Sequence, residues 1–276
     1  MNPQELLQTS HRILITIPSF CSLQEKEAAL GMLFSLLRLG KSVETEGMPV
    51  VSRFLARTSP DKREKTFAVT AKGLAPWVSK VYYEKDDRDL RLYFTLQDKN
   101  LSEYMLAVGE QRHDLVFIVG DKEASYNSAE PASRIVAFKD IQGHHNLIFA
   151  LLSEENRQLS SLLAKAFLSA EFTGRDVLIL KLSRQDFQNV GARSSLLSKF
   201  AGLVQEYGEG RFAYALLFEE ASAYHPIRVL LRANSAGVKE TVLRYGQNES
   251  KGAWTLVRSR FSSLEEARQE IIRDLS

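Results

Sequence analysis

The sequence predicts an α/β protein built around a parallel sheet, and three stretches predict it. Ile13 to Ile17 is a short apolar, β-branched run that Pro18 ends, because proline cannot donate to a strand ladder. Ser22 and Glu25 then form a capping box ahead of Ala29, Met32, Leu33, Leu36 and Leu37, which recur at helical spacing. Further on, Asp114 to Asp121 (DLVFIVGD) is an apolar run closed by Gly and Asp, as a strand buried on both faces requires.

Gly40 supplies the left-handed residue that ends the first helix, and Lys41 suits the negative end of its dipole. Ser42 to Glu44 starts a second strand, so the segment reads strand, loop, helix, strand, the opening unit of a parallel sheet. In such sheets chemistry gathers beyond the carboxyl ends of the strands, here Thr16 to Gln24. That loop holds no Asp, no His and no glycine-rich turn.

Val50 to Leu55 is weakly patterned, and Thr58 to Lys65 is a charged surface loop. Thr66 to Thr70, Val78 to Tyr83 and Leu90 to Thr95 alternate as strands, the last two joined by the polar turn Glu84 to Asp89 into a hairpin. Leu101 to Gly109 reads as a short helix and Ala124 to Ser133 as a loop of small polar residues. Ile135 to Phe138 reads as a second buried strand. Leu159 to Leu168 is helical, and Ala170 to Arg175 looks like a linker.

Beyond it come a strand at Asp176 to Leu182 and an amphipathic helix at Ser194 to Tyr207, with Leu196, Leu197, Phe200 and Val204 on one face. Strands follow at Phe212 to Glu219, Ile227 to Arg232 and Trp254 to Arg258, with a further candidate at Lys239 to Leu243. A terminal helix runs through Leu275, with Ser262 and Glu265 as its capping box. The chain thus divides into a parallel-sheet domain over 1–170, carrying a hairpin insertion near 78–95, and a smaller α/β domain over 174–276.

Composition narrows the function classes. A chain of 276 residues suits two domains, each able to bury a core. The net charge of +2 makes no whole-chain electrostatic case for nucleic acid. The single Cys21 excludes an intramolecular disulfide and any cysteine-rich metal site, which fits a reducing cytoplasm. The polar N-terminus and the lack of any apolar run of spanning length predict a cytoplasmic protein with no membrane partner. There is no GxSxG elbow, no phosphate-binding P-loop and no GxGxxG turn. Cys21 stands between a strand and a helix, where a dipole can activate a thiol; without a His or Asn partner nearby, a structural cysteine is the plainer reading. On the hairpin, Tyr82, Tyr83 and Phe94 alternate with Lys80, Arg88 and Arg91, either as a base-stacking surface or as an ordinary amphipathic hairpin.

The order of these pieces resembles the DHH/DHHA1 phosphoesterase family, which contains RecJ-like exonucleases and nano-RNA or cyclic-dinucleotide hydrolases. RILITIPSFCSLQEKEAALGMLFSLLRLGKSVE looks like its opening strand and helix. DLVFIVGD and RIVAFKDIQGHHN look like its second and third motif strands. DVLILKLSRQDFQNVGA, IRVLLRANSAGV and VLRYGQNESKGAW follow the order of the DHHA1 domain, and the hairpin looks like an insertion present in part of the family.

The resemblance implies phosphodiester hydrolysis by two divalent cations held by carboxylates and imidazoles. This sequence departs from that pattern. Ile17, Pro18 and Ser19 stand near the first motif's His, and the nearby acids are Glu25 and Glu27. The second motif's Asp falls on Gly120, one residue before Asp121, and one residue along a strand means the opposite face. The third motif's Asp-His-His falls on Lys139, Asp140 and Ile141, and the real pair, His144 and His145, arrives later. The glycine-rich substrate loop is reduced to Gly246, with Ser250 where the His would stand and Trp254 in place of a small residue. Arg232 matches the family's strand-end arginine for substrate phosphate.

The expectation is therefore a non-catalytic relative that binds a nucleotide or short oligonucleotide through Arg228, Arg232, Lys251 and Gly246, or that acts as a scaffold for a protein partner or as a homodimer. No catalytic residue and no cofactor is expected on this reading. The alternative is a divergent phosphodiesterase with Mn²⁺ or Mg²⁺ at a rearranged site of Asp121, Asp140, His144 and His145. The plainer reading of those four is a polar loop with solvated histidines.

Overall fold

The computed structural model describes residues 7–18, 20–55, 66–71, 78–86, 89–97, 106–111, 113–119, 134–138, 148–173, 177–208, 212–220, 227–232, 248–251, 254–258 and 261–275. Its first sheet is centred on β1 (Arg12–Thr16), with β2 (Ser42–Glu46) on one side and β7 (Leu115–Val119) on the other. β8 (Arg134–Phe138) lies outside β7, and all pairings are parallel, so the α/β class holds. The chain crosses one way from β1 to β2 and the other way toward β7. The crossovers therefore diverge between β1 and β7, the position at which sheets of this kind commonly bind ligands.

Helix α1 (Leu23–Arg38) makes the return from β1 to β2. The Ser22 hydroxyl accepts the Glu25 amide at 3.2 Å, while the Glu25 carboxylate accepts the Ser22 amide at 2.8 Å. Ala28 to Leu37 are all buried, so this helix is covered on more than its sheet-facing side. At its end the Gly40 amide donates to the Leu37 carbonyl and the Lys41 amide to the Leu36 carbonyl, each at 3.0 Å, with Gly40 left-handed at φ +74°. That crossed pair satisfies the last free carbonyls.

Helix α2 (Pro49–Leu55) replaces the weakly patterned segment; Pro49 tolerates the first helical position, and Val51, Phe54 and Leu55 are buried. Strand β3 (Thr66–Ala71) pairs antiparallel with β6 (Leu106–Gln111), placing Val69 opposite Val108. The expected helix over 101–109 is thus corrected to a strand at its end: Val108 and Gly109 are weak helix formers, and β3 supplies the ladder. Between them, β4 (Val78–Lys85) and β5 (Leu90–Leu96) form the expected hairpin.

The C-terminal sheet runs β13-β14-β12-β11-β10-β9. Its strands are β9 (Glu171–Phe172), β10 (Val177–Leu182), β11 (Ala213–Glu219), β12 (Ile227–Arg232), β13 (Asn248–Lys251) and β14 (Trp254–Arg258). β10 and β11 are parallel and the other pairings antiparallel. The expected linker therefore contains a short edge strand. Helix α6 (Leu264–Leu275) covers one face, with Ala267 and Ile271 against Val177, Ile179, Ala215 and Val229. Its cap is one residue later than expected: the Ser263 hydroxyl accepts the Glu266 amide at 3.1 Å, and Glu266 in turn accepts the Ser262 amide at 2.8 Å.

The opposite face meets α3 (Glu154–Leu168), α4 (Arg184–Val190) and α5 (Leu197–Tyr207), which follows a 3-10 turn at Ser194–Leu196. Helix α3 lies between α1 and β10. Phe167 is 5.1 Å from Phe34 and 4.7 Å from Phe54, and Phe54 meets Tyr214 edge-on at 6.5 Å. One buried cluster therefore runs from Ile13 and Leu30 through Leu163 and Phe167 to Leu180 and Trp254.

Candidate functional site

At the end of β1 the chain turns sharply. The Ile17 amide donates to the Glu46 carbonyl at 3.0 Å, the Thr16 hydroxyl to the Glu46 carboxylate at 3.3 Å, and the Cys21 amide to the Pro18 carbonyl at 3.2 Å. Ile17 is buried, so what this loop offers a ligand is Phe20 and Leu23, 64% and 68% exposed. Cys21 is half-buried. Burial pushes its thiol pKa up and the Glu25 charge adds to this, against the opposing pull of Lys26. A thiol so placed stays protonated at neutral pH, in keeping with a structural cysteine.

The two acids at the start of the following helix are already engaged. Glu25 is the cap partner of Ser22, and the Ser22 hydroxyl and amide bonds hold its carboxyl below the usual range. Glu27 receives the Lys165 ammonium at 2.7 Å, which joins α1 to α3, while Asp186 stands 3.9 Å from the same ammonium. Among the described residues, the carboxylates around this strand end are thus Glu25, Glu27 and Glu46, held by Ser22, Lys165 and Thr16 respectively. Among the described residues no three His, Cys, Asp or Glu side chains converge where a metal could sit. Asp121, Asp140, His144 and His145 lie outside the described residues.

The second candidate region is the face of the C-terminal sheet beneath the 3-10 turn. A cavity of about 480 Å³ has an apolar floor of Phe218, Leu230, Trp254 and Leu256, with Ser195 and Glu220 at its rim. Ser194 is shared with a neighbouring hollow of about 410 Å³ bordered by Arg184, Arg193 and Glu219. Sequence reasoning had no signal for the serine rim. It arises because the turn between α4 and α5 is folded back over the sheet.

The expected phosphate-binding residues meet different fates. Arg228 donates to Glu220 at 2.9 Å and is thereby neutralised. Arg232 shares its face of β12 with Leu230, since alternate residues of a strand point the same way. Its guanidinium carbon lies 5.7 Å from the Tyr214 ring, and its Nη1 is buried with no hydrogen-bond partner. Trp254, on β14 across β12 from Tyr214 and 6.0 Å from its ring between centroids, is 7% exposed, and its Nε1 is likewise buried without a partner. Lys251 sits in β13 opposite Trp254, with only its backbone described, and Gly246 lies outside the described residues. Trp254 packs in the buried cluster and also lines the cavity.

No protein-family model matches this chain, and no curated protein matches it. Among solved structures it is similar to an exopolyphosphatase-related protein from Bacteroides fragilis, at 8% identity and a TM-score of 0.31, over 99% of this chain and 94% of that one. A likeness at that level carries no argument about fold or activity. No helix among the described residues is long and apolar enough to cross a membrane.

Proposed function

We propose that this chain is a binding protein for a nucleotide or short oligonucleotide, seated in the groove of the C-terminal half, and that it does not hydrolyse its ligand. The observation that carries the reading is the pair of orphaned donors around Tyr214, Arg232 Nη1 and Trp254 Nε1. Buried donors without acceptors are costly, and one of these belongs to a permanent cation. Phosphate oxygens supply the missing acceptors and match a guanidinium best. The aromatic and aliphatic floor beside them suits a base. The engagement of Glu25 and Glu27 supports the non-hydrolytic half of the proposal.

The test is titration of the folded protein with a 5′-phosphorylated dinucleotide, alongside hydrolysis assays with Mn²⁺, with Mg²⁺ and with chelator. Saturable binding is expected, weakened roughly ten- to a hundredfold in Arg232→Met, as loss of a charged hydrogen bond implies. No turnover is expected. Metal-dependent turnover that vanishes in an Asp140→Ala, His144→Ala variant would overturn the proposal in favour of a rearranged phosphodiesterase. Absence of binding, or binding indifferent to Arg232, would overturn the nucleotide site.

A further inference from the structure

The hairpin β4–β5 is apolar on a scale that its surroundings do not cover. Val81, Tyr82, Tyr83 and Leu92 are 59%, 51%, 71% and 39% exposed. An ordinary amphipathic hairpin buries one face; this one exposes aromatic rings on both, because Tyr82 and Tyr83 are neighbours on opposite sides of the strand. Among the described residues β4 hydrogen-bonds to β5 alone, leaving a long strand with an unpaired edge. Isolated two-stranded hairpins are marginal in water, and further strands are what stabilise them.

The charges argue against nucleic acid as the occupant. Arg91 is held by Asp86 at 3.5 Å and Asp89 at 3.2 Å, and the tip is acidic. Glu84 accepts the Tyr93 hydroxyl at 3.0 Å and faces the same side as Lys80. What the edge of β4 matches is itself. We propose that β4 pairs antiparallel with β4 of a second copy of this chain, about a two-fold axis through Tyr82, building one continuous four-stranded sheet.

The register follows from the pleat. An axis perpendicular to the sheet preserves faces, so it must pass through a residue rather than between two. Centred on Tyr82, it sets Lys80 opposite Glu84 of the second copy, and Val81 opposite Tyr83. Centred on Val81, it sets Lys80 against Tyr82 and Val78 against Glu84. Centred on Tyr83, it sets Val81 against Lys85 and Tyr82 against Glu84. Only the first matches charge with charge and apolar with apolar throughout Lys80 to Glu84.

The side chains across β5 continue the match. Tyr82 stacks on Tyr93 at 4.8 Å and 9°, the spacing of adjacent strands. Pairing at Tyr82 extends that stack to a row of four tyrosines on one face. On the other, Tyr83 already faces Leu92 and Val81 faces Phe94. The pairing joins them into rows of Leu92, Tyr83, Val81 and Phe94, with the last two from the second copy. Cross-strand aromatic and opposite-charge pairs are the units that stabilise a sheet.

The test is the concentration dependence of mass by sedimentation, on the full chain and on three exposed-site variants checked for fold by circular dichroism. A reversible dimer is expected. Lys80→Glu or Glu84→Lys alone places like charges opposite each other twice per dimer. Each is expected to raise the dissociation constant about tenfold, from cross-strand charge pairs reversed in sign. The double swap K80E/E84K restores the opposition and returns the dimer. A chain that stays monomeric at every concentration overturns the proposal, and so does a dimer that ignores the single swaps or that the double swap fails to restore.

Discussion

Gly47 lies so close to Ile17 that a Cβ at position 47 would stand 1.8 Å from the Ile17 carbonyl oxygen. The backbone at Gly47 is also left-handed, at φ +84°. This contact closes the end of β2 onto the end of β1. Gly40 is left-handed too, at φ +74°, but has open space around it. Gly40→Ala is therefore expected to lose about 1 kcal/mol, the conformational cost alone. Gly47→Ala is expected to lose roughly 3 kcal/mol or more, since backbone must move. Urea unfolding of the two variants checks the difference; equal losses would contradict it.

Phe167 packs on Phe34 and Phe54, and Phe54 carries the contact on to Tyr214 of the C-terminal sheet. Phe167→Ala is expected to cost about 3–5 kcal/mol. Because the cluster is continuous, the wild-type chain is expected to unfold in one transition, with far-ultraviolet dichroism and tryptophan fluorescence coincident. Two separated transitions would mean that the halves are stable apart.

The Arg268 guanidinium grips Glu171 with two bonds, one of them 2.7 Å, tying α6 to the edge strand β9. The Arg268 bonds hold the Glu171 carboxyl below the usual range against the opposing effect of burial. A carboxylate whose pKa is lowered on folding stabilises the protein above its unfolded value, and that stability is lost as pH falls through the folded one. Glu171→Gln is expected to lose about 1 kcal/mol at neutral pH, allowing for partial exposure. The gap from wild type should close below the ordinary carboxylate range. Thermal melts across the acid range check this; a gap that persists at low pH would assign the effect to packing.

Cys21 has its thiol pKa raised, chiefly by burial. Its alkylation by iodoacetamide at neutral pH is expected to be at least several-fold slower than that of a free thiol at about pKa 8.5, and to climb as pH rises. Fast, pH-independent labelling would reveal an activated thiolate instead.

Local chemistry wrote much of the fold plainly. Ser22 with Glu25, the left-handed Gly40, and the runs at Ile13 to Thr16 and Leu115 to Val119 each carry their own physical signal, and each stands where that signal puts it. The misreadings share a cause. Leu106 to Gln111 is a strand because β3 offers it a partner distant in sequence, and Glu171 to Phe172 because the chain turns straight back to pair β9 with β10. The Ser263–Glu266 cap differs from the expected one by a single residue within a Ser-Ser, Glu-Glu repeat where either pairing satisfies the motif.

The site divides the same way. From the sequence come the absence of Asp and His in the loop after β1, the lone Cys21, and Arg232 at the end of an alternating strand. Tertiary structure decides how each charge is used. Glu27 is engaged because α3 brings Lys165 to it, and Arg228 because Glu220 folds beside it. Arg232 and Trp254 keep unmatched donors because the neighbouring strands β12 and β14 bring two N–H groups, neither of them an acceptor, to the same face beside Tyr214. Residue type fixes which interactions a chain can make. Which of them it makes depends on distances of a few ångströms between segments far apart in sequence, and only the packed core sets those.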